Sequence, residues 1–168
     1  MTVEGDREAI DDFFATHLTE DSGGDSHFDL NTFIPMPEAL EGTKSPVDNP
    51  DSARNVALRK EYGYDNWYDW KINNWGTKWN TYENYIDHDT NTITFQTAWD
   101  LPRLVLVKMA SMYPNLKFHL EVVEEGGYFA GTVDIVNGQI VDGLTSDYNT
   151  WKKYATEFMG WEFEDEDE

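Results

Sequence analysis

Four of the seven tryptophans fall within one stretch, YGYDNWYDWKINNWGTKWN, from Tyr62 to Asn80. Trp67, Trp70, Trp75 and Trp79 share it with Tyr62, Tyr64 and Tyr68. Each such ring buries roughly 150–250 Å² when packed, so the stretch predicts a large part of a core. Trp67 and Trp70 are three apart and share a face if the segment is helical. Gly76 then suits a left-handed helix end, and Thr77-Lys78-Trp79 leads into a strand. Trp67, Trp70, Trp75, Trp79 and, further on, Trp99 are all expected to be mostly buried.

The same block closely resembles the hallmark segment of the YubB-like ferredoxin-like family of phages, plasmids and prophages. Two further blocks agree in order: Phe33-Ile34-Pro35-Met36-Pro37-Glu38 before it, and Phe95-Gln96-Thr97-Ala98-Trp99 after it, followed by an apolar helix. Gly127-Tyr128-Phe129-Ala130-Gly131 matches a fourth, so the resemblance runs from about Met1 to Val141. It implies a fold but no established activity and no catalytic residues. Family members begin with a longer strand; here only Thr2-Val3 remains of it, which leaves the central position of the sheet open.

Read in order, the chain predicts a helix over Glu4 to Leu18, with Ile10, Phe13, Phe14 and Leu18 on its apolar stripe. Glu4–Glu8 and Glu8–Asp12 are like-charge pairs one turn apart on it. Thr19 to His27 is a loop by its Gly, Ser and Asp content. The two prolines of Phe33–Pro37 predict an extended anchor. Gly42 to Ser52 is a polar loop, and Ala53 to Tyr62 a helix carrying the basic cluster Arg54, Arg59 and Lys60. Thr81–Ile86 and Thr92–Trp99 form a hairpin about Asp89-Thr90-Asn91, with Ile93, Phe95, Thr97 and Trp99 on one buried face. Leu101 to Met112 is an apolar helix. Leu116–Val122 and Tyr128–Val136 are strands, and Asn137-Gly138 turns the chain into Gln139–Val141. Thr145 to Met159 is a C-terminal helix outside the resemblance, capped by Ser146 or Asp147 and packing through Trp151, Tyr154, Ala155 and Phe158.

With the resemblance, this order implies an α+β fold: a ferredoxin-like antiparallel sheet with helices packed on one face, an aromatic-rich helical insertion and an extra C-terminal helix. Residues 1–144 are expected to be the ferredoxin-like domain, 145–161 a helix packed on it, and 162–168 an acidic tail, disordered beyond Trp161.

Charge limits function most. Thirty-three acidic residues against twelve basic ones give −21. Phosphate contacts need Lys and Arg, so the balance opposes binding to nucleic acid or anionic lipid and favours a basic partner. The chain has no cysteine, which removes disulfides, thiolate metal sites and a Cys nucleophile and fits a reducing cytoplasm. No apolar run is long enough for a membrane span, and the N-terminus lacks signal-peptide features.

Motifs for chemistry are sparse. His17, His27, His88 and His119 sit in no zinc spacing. Asp87, Asp89 and Asn91 imitate the opening of a calcium loop, but Thr92 and Ala98 stand where Gly and Glu belong, so a turn is expected. His119 alternates with apolar residues and is expected to be exposed. Gly126-Gly127 is a turn rather than a phosphate cradle. Tyr82, Tyr85 and Tyr128 are the plausible exposed rings. The expectation is a cytoplasmic, non-enzymatic protein with no cofactor and no metal. It would bind the basic nucleic-acid-binding surface of a host defence nuclease or CRISPR effector as a DNA mimic. Glu8, Asp11, Asp12, Glu20, Asp21, Asp25, Glu162 and Glu164 are its candidate partner-binding acids. The alternatives are a phage accessory protein whose acidity serves only solubility, or a small enzyme.

Overall fold

The computed structural model describes residues 1–20 and 23–163. Strand β1 (Thr2–Glu4) leads into helix α1 (Arg7–His17), and a small hairpin follows, β2 (Leu18–Glu20) with β3 (Ser26–Phe28). Helices α2 (Ala53–Tyr62) and α3 (Trp67–Asn74) precede the hairpin of β4 (Tyr82–Asp87) and β5 (Thr92–Gln96). Then come α4 (Arg103–Met112), β6 (Lys117–Val123), β7 (Ala130–Val136), β8 (Gln139–Asp142) and α5 (Tyr148–Met159). Six strands form one sheet in the order β4-β5-β1-β6-β7-β8, and β2 and β3 form a second. The architecture is α+β.

The short β1 does occupy the middle of the sheet. Thr2 pairs with Thr92 of β5, and Val3 with Phe118 of β6, both antiparallel. Val3 is fully buried there. Glu4 belongs to this strand rather than to α1, so the expected Glu4–Glu8 helical pair does not form, whereas Glu8 and Asp12 remain one turn apart.

The chain divides into two compact units. One comprises Met1–Asp11, Asp87–Ile93 and Ala110–Glu168. Its strands alternate as the sequence predicts: Phe118 and Leu120 of β6 and Val133 and Ile135 of β7 are buried. Asn137 and Gly138 both take positive φ, 52° and 71°, as a two-residue hairpin turn requires. Asp147 caps α5 by accepting from the Thr150 amide. Trp151 and Ala155 of α5 bury against Ala130, and the Trp151 indole N–H donates to the Glu124 carbonyl at 2.7 Å. Phe163, expected to lie in a disordered tail, instead packs edge-on against Trp151 at 5.4 Å, because its ring offers area that the flanking acids do not. The rest of that tail, residues 164–168, lies outside the described residues.

The other unit comprises Asp12–Ile86 and Thr94–Met109. Phe13, Phe28 and Phe33 cluster at ring-centroid distances of 5.5–6.2 Å. The aromatic stretch supplies a second group, with Trp70 and Trp75 edge to face at 5.8 Å and the Trp75 indole N–H donating to the Ile34 carbonyl. Asn66 caps α3, accepting from the Asp69 amide while its own amide donates to Asp69 and Asp65 carboxylates. Arg59 pairs with Asp65, so part of the basic cluster is an internal match for a buried acid. Gly76, at φ 89°, follows the end of α3 as expected.

Two expectations fail in this unit, each for a local reason. Thr19 to His27 is not wholly a loop: three residues on each side pair, and the Thr19 hydroxyl and the His27 ring hydrogen-bond across the ladder at 3.2 Å. Thr77-Lys78-Trp79 does lead into a strand, as expected. Thr77 is buried and its hydroxyl donates to the Ala98 carbonyl, which ties the segment down before β4 begins at Tyr82. Trp79 and Trp99 are not buried. β5 ends at Gln96, so the two-residue alternation stops; Ala98 turns inward and Trp99 turns out.

Candidate functional site

The acids named from the sequence fall into three places. Glu8, Asp11 and Asp12 share the exposed side of α1, opposite Phe13, Phe14 and His17. Helical spacing brings Glu8 within one turn of both aspartates. Arg7 pairs with Asp11 at 2.9 Å and removes part of that charge. Glu20 ends β2 and Asp25 precedes β3, both exposed. Glu162 follows α5 and is exposed. Asp21 and Glu164 lie outside the described residues. Exposed carboxylates also occur at Glu38, Glu61, Glu83, Glu121 and Glu157, on quite different elements.

A site that the sequence hid is built from the two tryptophans that left the core. Trp79 is 47% and Trp99 66% exposed. The Lys78 ammonium lies 3.9 Å from the centroid of the Trp79 ring and 3.8 Å from that of Trp99. Tyr82 stands edge-on to Trp79 at 6.2 Å. Trp99 has φ 69°, a left-handed conformation costly for a large side chain. Two signals could have shown this: Trp79 is flanked by Lys78 and Asn80, and Trp99 is followed at once by Asp100-Leu101-Pro102, a composition that ends strands.

Beside the pair lies an open cleft of about 420 Å³, lined by Met36, Glu41, Gly42, Trp67, Lys71 and Trp79. Lys71 extends over the Trp67 and Trp75 rings at 5.4 and 4.9 Å. Burial lowers the pKa of its ammonium below the usual lysine value, while the charges of Glu41 and Asp29 act the other way. The cleft therefore offers aromatic faces with one ammonium and one carboxylate.

His17 and His119 make structural contacts. His17 is buried and stacks on Phe33 at 3.7 Å. His119 is half-buried rather than exposed, because Asp134 stands opposite it in the β6–β7 register and takes a 2.6 Å hydrogen bond. Asp87 accepts from the Asp89 and Thr90 amides, closing the expected turn. A hydrogen bond from the Thr90 side chain lowers its pKa most, followed by those two amide bonds. Among the described residues no group of three or more His, Asp and Glu side chains is arranged to hold a metal ion. Exposed rings extend beyond the expected tyrosines to Tyr148 and the two tryptophans. No helix among the described residues is long and apolar enough to cross a membrane.

The strand order and the central β1 define a ferredoxin-like α+β protein. The profile of the family described as a ferredoxin-like domain in Api92-like protein matches residues 78–166, more than half of the chain, and the chain belongs to that family. The match takes in α5, which the resemblance left outside, and begins after α3. No curated protein and no solved structure matches the chain.

Proposed function

We propose that this is a non-enzymatic acidic binding protein that occupies the basic nucleic-acid-binding surface of another protein, as a DNA mimic in a phage or mobile-element setting. The carrying observation is the −21 net charge, presented in part as an exposed α1 stripe of Glu8, Asp11 and Asp12. Duplex DNA offers about one charge per 1.7 Å of axis, and rows of carboxylates one helical turn apart can meet the same Lys and Arg groups. Long-range attraction of this kind speeds association and weakens with salt. A defence nuclease or CRISPR effector in the host cytoplasm is the fitting partner class; an anti-restriction or anti-CRISPR inhibitor is the corresponding role.

A second reading has its own support. Exposed acids occur on so many elements that the charge can serve solvation alone. Charge reversal separates the two. Asp11, Asp12 and Glu20 are changed to Lys, and binding to a captured DNA-binding host protein is measured by competition with labelled DNA across a salt series. Mimicry predicts loss of competition by about tenfold or more and a shallower salt dependence. Unchanged competition would remove α1 and its hairpin from the interface.

A further inference from the structure

We propose that Trp79 and Trp99 form a cation-binding pair for a basic side chain, Lys or Arg, of the protein partner, and that Lys78 occupies it in the free chain. The inference rests on the preceding reading in one respect, that the partner is basic. Its geometry stands by itself. A cation within about 6 Å of an indole centroid is attracted by the negative face of the ring, and tryptophan binds best. Here one ammonium is under 4 Å from two indoles at once, so the gap between the rings already has the size of such a group.

Three further observations point to exchange rather than a fixed contact. Both rings are exposed, Trp99 more than Trp79, so an incoming cation can reach them. Lys78 makes no ion pair among the described residues, even in a chain with thirty-three acids; the rings are its partners, and a flexible lysine stem can swing away. Trp99 is held at φ 69°, a conformation that a bulky side chain adopts only when the surroundings impose it. Were burial the purpose of this ring, the strained backbone would turn it inward. The surrounding charge of −21 adds a general attraction for cations. Aromatic anchors meeting arginine are also the residues that dominate binding energy at protein interfaces.

Choline and its uncharged isostere 3,3-dimethyl-1-butanol are suitable probes, with N-acetyl-arginine amide as a side-chain mimic. Binding is read from tryptophan fluorescence and from the indole N–H signals in NMR spectra. Replacing Lys78 with Ala removes the internal competitor and should tighten choline and the arginine mimic by about tenfold. The isostere should not bind. Trp99→Ala placed in the Lys78→Ala chain should abolish the gain, and Trp99→Phe should retain part of it. Both rings are exposed, so these variants should keep the wild-type melt. Equal affinity with and without Lys78, or equal binding of the uncharged isostere, would overturn the proposal. These probes need no partner, so their failure is distinct from failure of the charge-reversal test.

Discussion

His17 offers the sharpest physical test of this fold. Its ring is fully buried, 5.1 Å from Phe13 and stacked on Phe33. The Thr32 hydroxyl donates to the Asp29 carbonyl, so toward His17 it accepts, and Nδ1 at 2.6 Å carries the proton. This arrangement suits a neutral imidazole protonated on Nδ1. Burial lowers its pKa from 6.5 to about 4, against the opposing charges of Asp12 and Asp29. The sign follows: the unfolded chain takes up a proton near its ordinary pKa, while the folded chain resists until about 4. The stability contribution is whole above the unfolded value and is lost as pH falls through that window. The full span is worth about 3 kcal/mol, of which about 2 kcal/mol is lost by roughly pH 5. Urea unfolding of wild type and His17→Gln isolates it, since titrating carboxylates act on both chains alike and glutamine can still donate to Thr32. The variant should be less stable at neutral pH, because the ring stacking is gone. The gap should then narrow by about 2 kcal/mol between about pH 7 and about pH 5. A gap that stays constant over that range would show that the imidazole is accessible to protons in the folded state.

Two other outcomes follow from packing. Trp75→Ala should cost about 3–5 kcal/mol, as it deletes a buried indole, while Trp99→Ala should change stability by less than about 1 kcal/mol; parallel thermal melts distinguish them, and equal losses would contradict the exposure difference. Asn66→Ala should cost about 1–2 kcal/mol, because it removes the α3 cap, and a melt unchanged from wild type would mean that α3 is held by its tryptophans alone.

What the sequence made legible was whatever depended on short-range periodicity and turn chemistry. Phe118 and Leu120 against Lys117 and His119 mark β6 by alternation alone. Asn137-Gly138 fixes the β7–β8 turn because few other pairs reach positive φ at both positions. The cap of α5 could be narrowed to Ser146 or Asp147 because they stand where the helix must satisfy its first amides, and Asp147 fills the role. The β2–β3 hairpin was hidden because four of its six paired residues, Thr19, Glu20, Ser26 and His27, sit inside a composition that marks turns. Its stability comes partly from distant partners, for the Asn84 side chain accepts from the Phe28 amide. No local window contains that bond.

The exposed tryptophans were illegible for a different reason. Ring size predicts burial on average, and a window rich in rings looks like core whichever of them faces outward. Which ring turns out is decided by where β5 stops and by Thr77 reaching the Ala98 carbonyl, a contact twenty-one positions away in sequence. Composition carried the acidic character but not its placement: Asp11 is matched by Arg7 and Asp65 by Arg59, whereas Glu8 and Asp12 have no such partner beside them in the helix. Charge sets what kind of partner can approach, at a range of about a Debye length of 10 Å. It does not choose where that partner grips. On the reading proposed above, that choice falls to residues that break a local rule, and Trp99, a bulky side chain at positive φ on an open surface, breaks two at once.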